Sequence, residues 1–335
     1  MNNSIIISGA SALSFWLDYS KRKNPRSYSY KVCKRVSLPI GVSSRVHSAS
    51  ARLIASELRL TLPLHVLVPD SNAKHRSKDI YFSVISRHLP ENSFIQLNNY
   101  QLSKELQGFN IYVASPEYCF LTFAARLPIP LLVELGCNLC AEYAIDSASE
   151  LGQVFRSPVT NLSMISDYVL AAKRNTGYRQ AMRAVRYVLE GSYSPAETKL
   201  AVISILPLSE GGYNLSSLQL NKEILLTEEA ANLLGLNTCC GDLVWNAERA
   251  VIEYDSNLTH LDSRQHKYDK AKGNALKESG YKLISLTSGD LHSFQSIEAA
   301  FVLVRKALNR KNRDSLLLKY ADRRELTFKM LFKSS

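Results

Sequence analysis

The window Gly241–Asp255, GDLVWNAERAVIEYD, constrains the fold more than any other stretch of the chain. Two apolar runs, Leu243–Trp245 and Ala250–Ile252, flank the polar run Asn246-Ala247-Glu248-Arg249. That is the pattern of a strand, a tight turn and a second strand. A turn centred between Ala247 and Glu248 sets Asp242 directly opposite Glu253. Opposed side chains in an antiparallel pair lie roughly 5 Å apart at Cβ, and like charges there are destabilising. Asp255 falls two residues beyond Glu253, on the same face by the period of the pleat. Three carboxylates converging on one face either meet solvent or are held together by a cation. Oxygen donors of this kind suit Mg²⁺ or Mn²⁺. The apolar neighbours imply strands buried on both faces, where an acidic pair is costly unless protonated or bound to metal.

The hairpin sits in a longer α/β pattern. Ser194-Pro195-Ala196-Glu197 opens a helix to about Leu206, and alternating apolar residues from Leu215 to Ile224 suggest a strand with an irregularity. Thr227 caps a short helix that Gly235 ends. After the hairpin, a helix over Arg264–Ser279 precedes the strand Tyr281–Leu286. A strand, a helix and a strand within so few residues form a crossover unit, which makes the last strand parallel to Val251–Asp255. A helix over Ser296–Leu308 and a basic tail follow.

The first half reads as a mixed α/β domain. Helices are expected at Ser11–Tyr19 and Ser44–Leu58, and short strands at Leu64–Val68, Ile80–Ile85 and Phe109–Ala114. Ser115-Pro116 starts a helix over Pro116–Leu127, and the next spans Pro130–Tyr143. Both are apolar nearly all round and should be buried. A basic helical pair, Ser163–Lys173 and Tyr178–Glu190, closes at Gly191-Ser192. The expected organisation is an α/β domain over 1–150, a helical connector over 151–190, a second domain over 191–310 and a basic tail over 311–335.

At 335 residues with 46% hydrophobic and 21% charged residues, the composition is that of an ordinary globular chain of about two domains. The balance of 41 Lys and Arg against 30 Asp and Glu gives a formal charge of +11, which favours polyanionic partners. No run approaches the roughly 18 apolar residues that cross a bilayer. The stretch Ser4–Leu17 lacks a basic leader, since Lys21-Arg22-Lys23 follow it, so a cytoplasmic location and no membrane partner are expected. Of six cysteines, Cys137 and Cys140 form a lone C-x-x-C. Without a matching second pair they read as reduced core cysteines rather than a zinc site.

Other residues gain interest from their position near the hairpin. Ser194-x-x-Glu197 matches a capping box, and Glu197 is a fourth carboxylate only through its place ahead of the hairpin. His260, just after the second strand, is a structural histidine or a general base or phosphate ligand. Lys267, Lys270, Asn274 and Lys277 recur at spacings of three and four, as a solvated helix face or as one that contacts phosphates. The C-terminal run from Arg305 through Arg324 suits neutralisation of a nucleic-acid backbone.

Taken in order, SPAET, GDLVW, VIEYD, His260, the Asp269–Leu276 stretch, Gly280 and YKLISL resemble the very-short-patch-repair (Vsr)-like endonuclease domain of the PD-(D/E)XK superfamily. The resemblance covers about 120 residues. More weakly, SGASALSFW and ASPEYCFLTFAARLP in the first half resemble abortive-infection antitoxin-type (AbiEi-type) proteins. The resemblance implies a restriction-endonuclease-like mixed sheet flanked by helices, with Mg²⁺ or Mn²⁺ as cofactor and DNA as partner. Asp242 would be the first metal ligand and Glu253 the second, with Asp255 and Glu197 as further candidates. The superfamily's usual lysine, two residues after the second acid, is Asp255 here. A base would then come from His260, Lys270 or a metal-bound water. The expected glycine after Asp255 is Ser256, and the arginine expected in the following helix is Lys272. Lys267, Lys270, Lys272, Asn274 and Lys277 would contact DNA. The implied activity is hydrolysis of phosphodiester bonds by an endodeoxyribonuclease, with a homodimer left open. The alternative is a catalytically silent DNA-binding or antitoxin-like regulator of the same fold.

Overall fold

The computed structural model describes residues 3–18, 34–97, 104–106, 108–146, 149, 152–255, 263–309 and 314–333. The chain is mixed α/β and divides into two compact units, Met1–Val188 and Leu189–Ser335. The helical stretch expected as a connector therefore falls, as far as Val188, within the first unit.

The first unit is built on a six-stranded sheet. Its elements are β1 (Asn3–Ile7), α1 (Gly9–Leu17), β2 (Arg35–Val36), α2 (Ser48–Glu57), β3 (Leu64–Val68), β4 (Ile80–Val84), β5 (Phe94–Gln96), β6 (Phe109–Ala114), α3 (Pro116–Phe123) and α4 (Ile129–Leu139). The small hairpin β7 (Tyr143–Ile145) and β8 (Gln153–Phe155) follows, then α5 (Leu162–Ala171) and α6 (Tyr178–Ala184). Strand order is β2-β5-β6-β1-β3-β4, with β1 parallel to β6 and β3 parallel to β4. The Ile5-Ile6-Ile7 run of β1 is buried at the centre, as a fully covered strand requires. Sequence reasoning did not assign this strand, nor β7, whose first residue, Tyr143, was expected to end the helix from Pro130. Ser115 caps α3 by accepting from the Tyr118 amide at 3.2 Å, with Pro116 at the first helical position.

The second unit has the order α7 (Pro195–Ile205), β9 (Gln219–Leu225), α8 (Glu228–Leu234), β10 (Thr238–Trp245), β11 (Ala250–Asp255), α9 (Ser263–Glu278), β12 (Lys282–Thr287), α10 (Phe294–Ala307), α11 (Asp314–Lys319) and α12 (Ala321–Phe332). Its sheet runs β12-β11-β10-β9. The hairpin pairs Val244 with Val251 and Trp245 with Ala250, the register expected from the turn chemistry. The crossover strand β12 is parallel to β11. Ile224, Val244, Val251, Ala275, Leu276 and Leu283 join strands and α9 in one apolar cluster. Gly273 admits this packing, because a Cβ there would stand 3.3 Å from Leu283 Cδ2. Close approach of α9 to β12 thus offsets the roughly 1 kcal/mol that a mid-helix glycine costs in propensity.

The region expected as a basic tail contributes to the core instead. Phe328 is buried, and Arg324, 1% exposed, donates to Glu298 Oε1 at 2.6 Å and Oε2 at 3.0 Å. Arg305 is also buried and donates to the Tyr213 carbonyl at 2.7 Å. Part of the basic balance is therefore spent inside the unit rather than offered to a partner. Among the described residues, no helix is long and apolar enough to cross a membrane.

Candidate functional site

Three adjacent strands align a row of polar side chains. The pairs Leu220–Leu243 and Lys222–Gly241 bracket Asn221 and Asp242 across β9 and β10. The pair Leu243–Ile252 brings Asp242 level with Glu253 on β11, and Glu253 pairs with Ser285 on β12. The opposition of Asp242 and Glu253 that the turn predicted is thus the observed register. Gly241 is needed beside them: a Cβ there would lie 2.7 Å from Val244 Cγ2 and 2.9 Å from Val251 Cγ2.

Two helices complete the cluster. Asn221 adopts φ of 45°, in the left-handed region that asparagine tolerates well. Its amide donates to the Gly191 carbonyl at 2.8 Å and to Glu197 Oε2 at 2.7 Å. The sequence pattern carries an irregularity somewhere between Leu215 and Ile224 but does not single out Asn221. Glu197 at the start of α7 also accepts from the Ser194 hydroxyl at 2.8 Å and the Tyr193 amide at 2.9 Å. Ser194 in turn accepts from the Glu197 amide at 3.1 Å. Both oxygens of Glu197 serve the helix cap and its neighbouring strand. From α9, the Lys272 ammonium donates to Glu253 Oε2, the two side chains being 16% and 20% exposed.

The carboxylates differ in how fully they are satisfied. Asp242 Oδ2 accepts from the Tyr254 amide at 2.8 Å. Glu253 Oε1 is buried with no hydrogen-bond partner among the described residues. Burial, then the neighbouring Asp242 charge, pushes Glu253 up from 4.5 to about 7, against the pull of Lys272. Burial raises Asp242, with Asp269 on α9 adding to it and the Tyr254 amide and Lys272 opposing. Burial and then Asp242 raise Glu197. Burial works to lower Lys272, but the Glu253 and Asp242 charges leave it raised overall, so its ammonium persists at neutral pH.

Of the three carboxylates expected to converge, Asp242 and Glu253 stand level and Asp255 does not join them. Asp255 is exposed at the last position of β11, paired with Thr287, roughly 7 Å of strand beyond Glu253. Among the described residues, no group of three or more His, Cys, Asp or Glu side chains is placed to hold a metal ion. His260 lies outside the described residues. Lys267, Lys270, Asn274 and Lys277 are exposed on α9, whereas Lys272, expected to contact DNA, turns inward to Glu253. Cys137 and Cys140 are both buried.

The donor set nevertheless fits a hard divalent cation. Two carboxylates stand at neighbouring positions of paired strands, and one buried carboxylate oxygen lacks a partner. Mg²⁺ is commonly held by one or two protein carboxylates, with waters and substrate phosphates filling its octahedron. Comparison with protein-family models, with curated proteins and with solved structures found no match to this chain.

Proposed function

We propose that the second unit is a metal-dependent DNA endonuclease of the PD-(D/E)XK type. The observation that carries this reading is the buried, unpartnered Glu253 Oε1 beside Asp242, with the Lys272 ammonium on the other Glu253 oxygen. The order α7, β9, α8, β10, β11, α9, β12 supports it, since apart from the short α8 it is the helix–strand–hairpin–helix–strand arrangement expected from the resemblance.

Asp242 and Glu253 would hold Mg²⁺ or Mn²⁺. When bound, such a cation supplies a Lewis acid that polarises phosphoryl oxygen and helps to generate the nucleophile. The chain's own groups do the rest. Glu253 must shed its proton before it can ligate, so its ionisation near pH 7 gates the site. Lys272 keeps its proton, so it acts as a fixed positive charge rather than as a base. It holds the Glu253 carboxylate in place and stabilises the charge that develops on a phosphate oxygen. Lys267, Lys270 and Lys277 on the exposed face of α9 neutralise backbone phosphates, with Asn274 as a hydrogen-bonding neighbour.

The test is incubation of supercoiled plasmid with full-length protein in Mg²⁺ or Mn²⁺, beside the Asp242→Ala/Glu253→Ala double variant. Nicking or linearisation by the wild type alone is expected. Equal DNA binding by both proteins with no cleavage by either would overturn the reading.

That outcome would support a second reading, a catalytically silent DNA-binding or antitoxin-like regulator. The observation that favours it is Lys272 itself. An ammonium already compensates Glu253, and no third metal donor joins the pair among the described residues.

A further inference from the structure

A separate site belongs to the first unit. A cavity of about 350 Å³ opens where β1 runs into α1. That volume lies in the range of small-molecule sites, about 300–1,000 Å³. The parallel pairing of β3 with β4 sets His65 beside Tyr81 and Leu67 beside Ser83, so these four side chains share one face and form the floor. The turn Ser8–Ala10 forms one wall, and Leu121 to Arg126, at the end of α3 and just beyond it, forms another. Asn175 ties one end shut, accepting from the Ser86 hydroxyl at 2.7 Å and donating to the His88 carbonyl at 2.6 Å.

The polar groups converge on the start of α1. Ser8 occupies the N-cap position yet makes no capping bond. It is only 5% exposed, it lines the cavity, and its hydroxyl has no partner among the described residues. The amides of Gly9, Ala10 and Ser11 likewise donate to no described acceptor. The nine-residue α1 adds the positive end of its dipole. Gly9 makes the geometry feasible: at φ of 51° a Cβ would stand 2.8 Å from His65 Nδ1. Arg126 is exposed and makes no ion pair among the described residues. No Asp or Glu lines the cavity. Burial, then the Arg126 charge, lowers His65, which leaves a neutral imidazole able to donate or accept.

Much of the remaining lining is apolar, from Leu67, Val84, Leu121 and Phe123. Tyr81, 46% exposed, lies against the His65 ring with centroids 4.8 Å apart. A bare inorganic anion would satisfy the polar groups and leave this apolar lining uncovered.

We propose that this cavity binds a mononucleotide, its phosphate at the N-terminus of α1 between Ser8 and Arg126, and its base against Tyr81 and the apolar wall. The site is independent of the carboxylate pair in the second unit.

Calorimetric titration of full-length protein tests this with AMP, GMP, CMP and UMP, and with adenosine and inorganic phosphate as the two halves of a ligand. At least one nucleotide should bind saturably at one site. Arg126→Ala should weaken it about tenfold to a hundredfold, the loss of one charge-assisted contact, and Ser8→Ala should weaken it by several-fold. Arg126 is exposed, so its variant should melt like the wild type without ligand. The Asp242→Ala/Glu253→Ala variant should bind the nucleotide unchanged. Failure of all four nucleotides to bind below millimolar concentration would overturn the proposal. So would binding that ignores both Arg126→Ala and Ser8→Ala, or adenosine binding as tightly as AMP.

Discussion

Glu117 of the first unit and Glu253 of the second are both acids removed from solvent, yet their surroundings answer opposite needs. Glu117 is 1% exposed and fully provided for. Arg35 reaches its two oxygens at 2.8 and 3.3 Å, and the Thr160 hydroxyl donates to Oε1 as well. It also lies in the first turn of α3, where the helix dipole favours negative charge. Glu253 has one oxygen on Lys272, one with no partner, and a second carboxylate beside it. A fold that wanted only an anchored acid would build the first arrangement. The second leaves coordination capacity open at a cost in stability, as strained functional sites do.

The largest effect that separates the two is thermodynamic. Glu117→Ala strands the Arg35 guanidinium, which is 10% exposed, and should cost about 3–5 kcal/mol in urea or thermal unfolding. Asp242→Asn should cost nothing at pH 8 and gain up to about 1 kcal/mol, because it removes a like charge while an amide oxygen still accepts from Tyr254. A loss of several kcal/mol at Asp242 would show the pair to be as structural as Glu117.

Next comes the pH dependence. Glu253 titrates near 7 in the folded chain against 4.5 ordinarily, so between those values the folded state holds more proton than the unfolded one. Stability from this group is therefore fullest below pH 4.5, falls as pH rises, and is gone above 7, a change of about 3 kcal/mol. Denaturation midpoints across pH 5 to 8 should show that decline, flattened in Asp242→Asn. Burial alone still raises Glu253 in that variant, so the deciding control is Glu253→Gln, in which an unchanged slope would assign the titration elsewhere.

How far this contrast could be read in advance depended on how local its causes are. The turn Asn246–Arg249 carries its own chemistry, so the register that opposes Asp242 to Glu253 was legible. The paired lysine was not. Whether Lys272 points at a strand or at water depends on the rotation of α9 over the sheet, which Ala275, Leu276 and Gly273 decide through contacts far apart in sequence. Lys267, Lys270 and Lys277 carry the same residue type and end exposed. Asp255 failed to join for a related reason: the pleat gives its face but not the end of the strand. In the first unit, β1 escaped notice because three isoleucines near a terminus carry neither alternation nor a bounding turn before them. The Arg35–Glu117 pair spans 82 residues and leaves no local trace.

Metal addition sharpens the comparison from the other side. At pH 8, Mg²⁺ at ten times its dissociation constant should stabilise the chain by about 1.4 kcal/mol if it binds the folded state alone. Because ligation needs an ionised Glu253, apparent affinity should fall about tenfold per pH unit below 7. Asp242→Asn should abolish the stabilisation, and Glu117→Gln should keep it. A thermal shift that survives in Asp242→Asn would place the ion at some other site.

The smallest expected effect concerns Glu197, which lies between the two cases. Its oxygens are satisfied like those of Glu117, by Ser194, Tyr193 and Asn221, yet Asp242 is close enough to raise it. A glutamine can repeat every one of these bonds. Its oxygen accepts from the Tyr193 amide and the Asn221 amide, while its nitrogen donates to the Ser194 hydroxyl, and glutamine serves a capping box as glutamate does. Glu197→Gln should therefore change stability by less than about 0.5 kcal/mol, whereas Glu197→Ala loses the cap and about 1 kcal/mol. Plasmid cleavage by Glu197→Gln should match the wild type, which would make Glu197 a support for Asn221 and the start of α7. A hundredfold loss of cleavage with unchanged stability would instead make it the third carboxylate of the site.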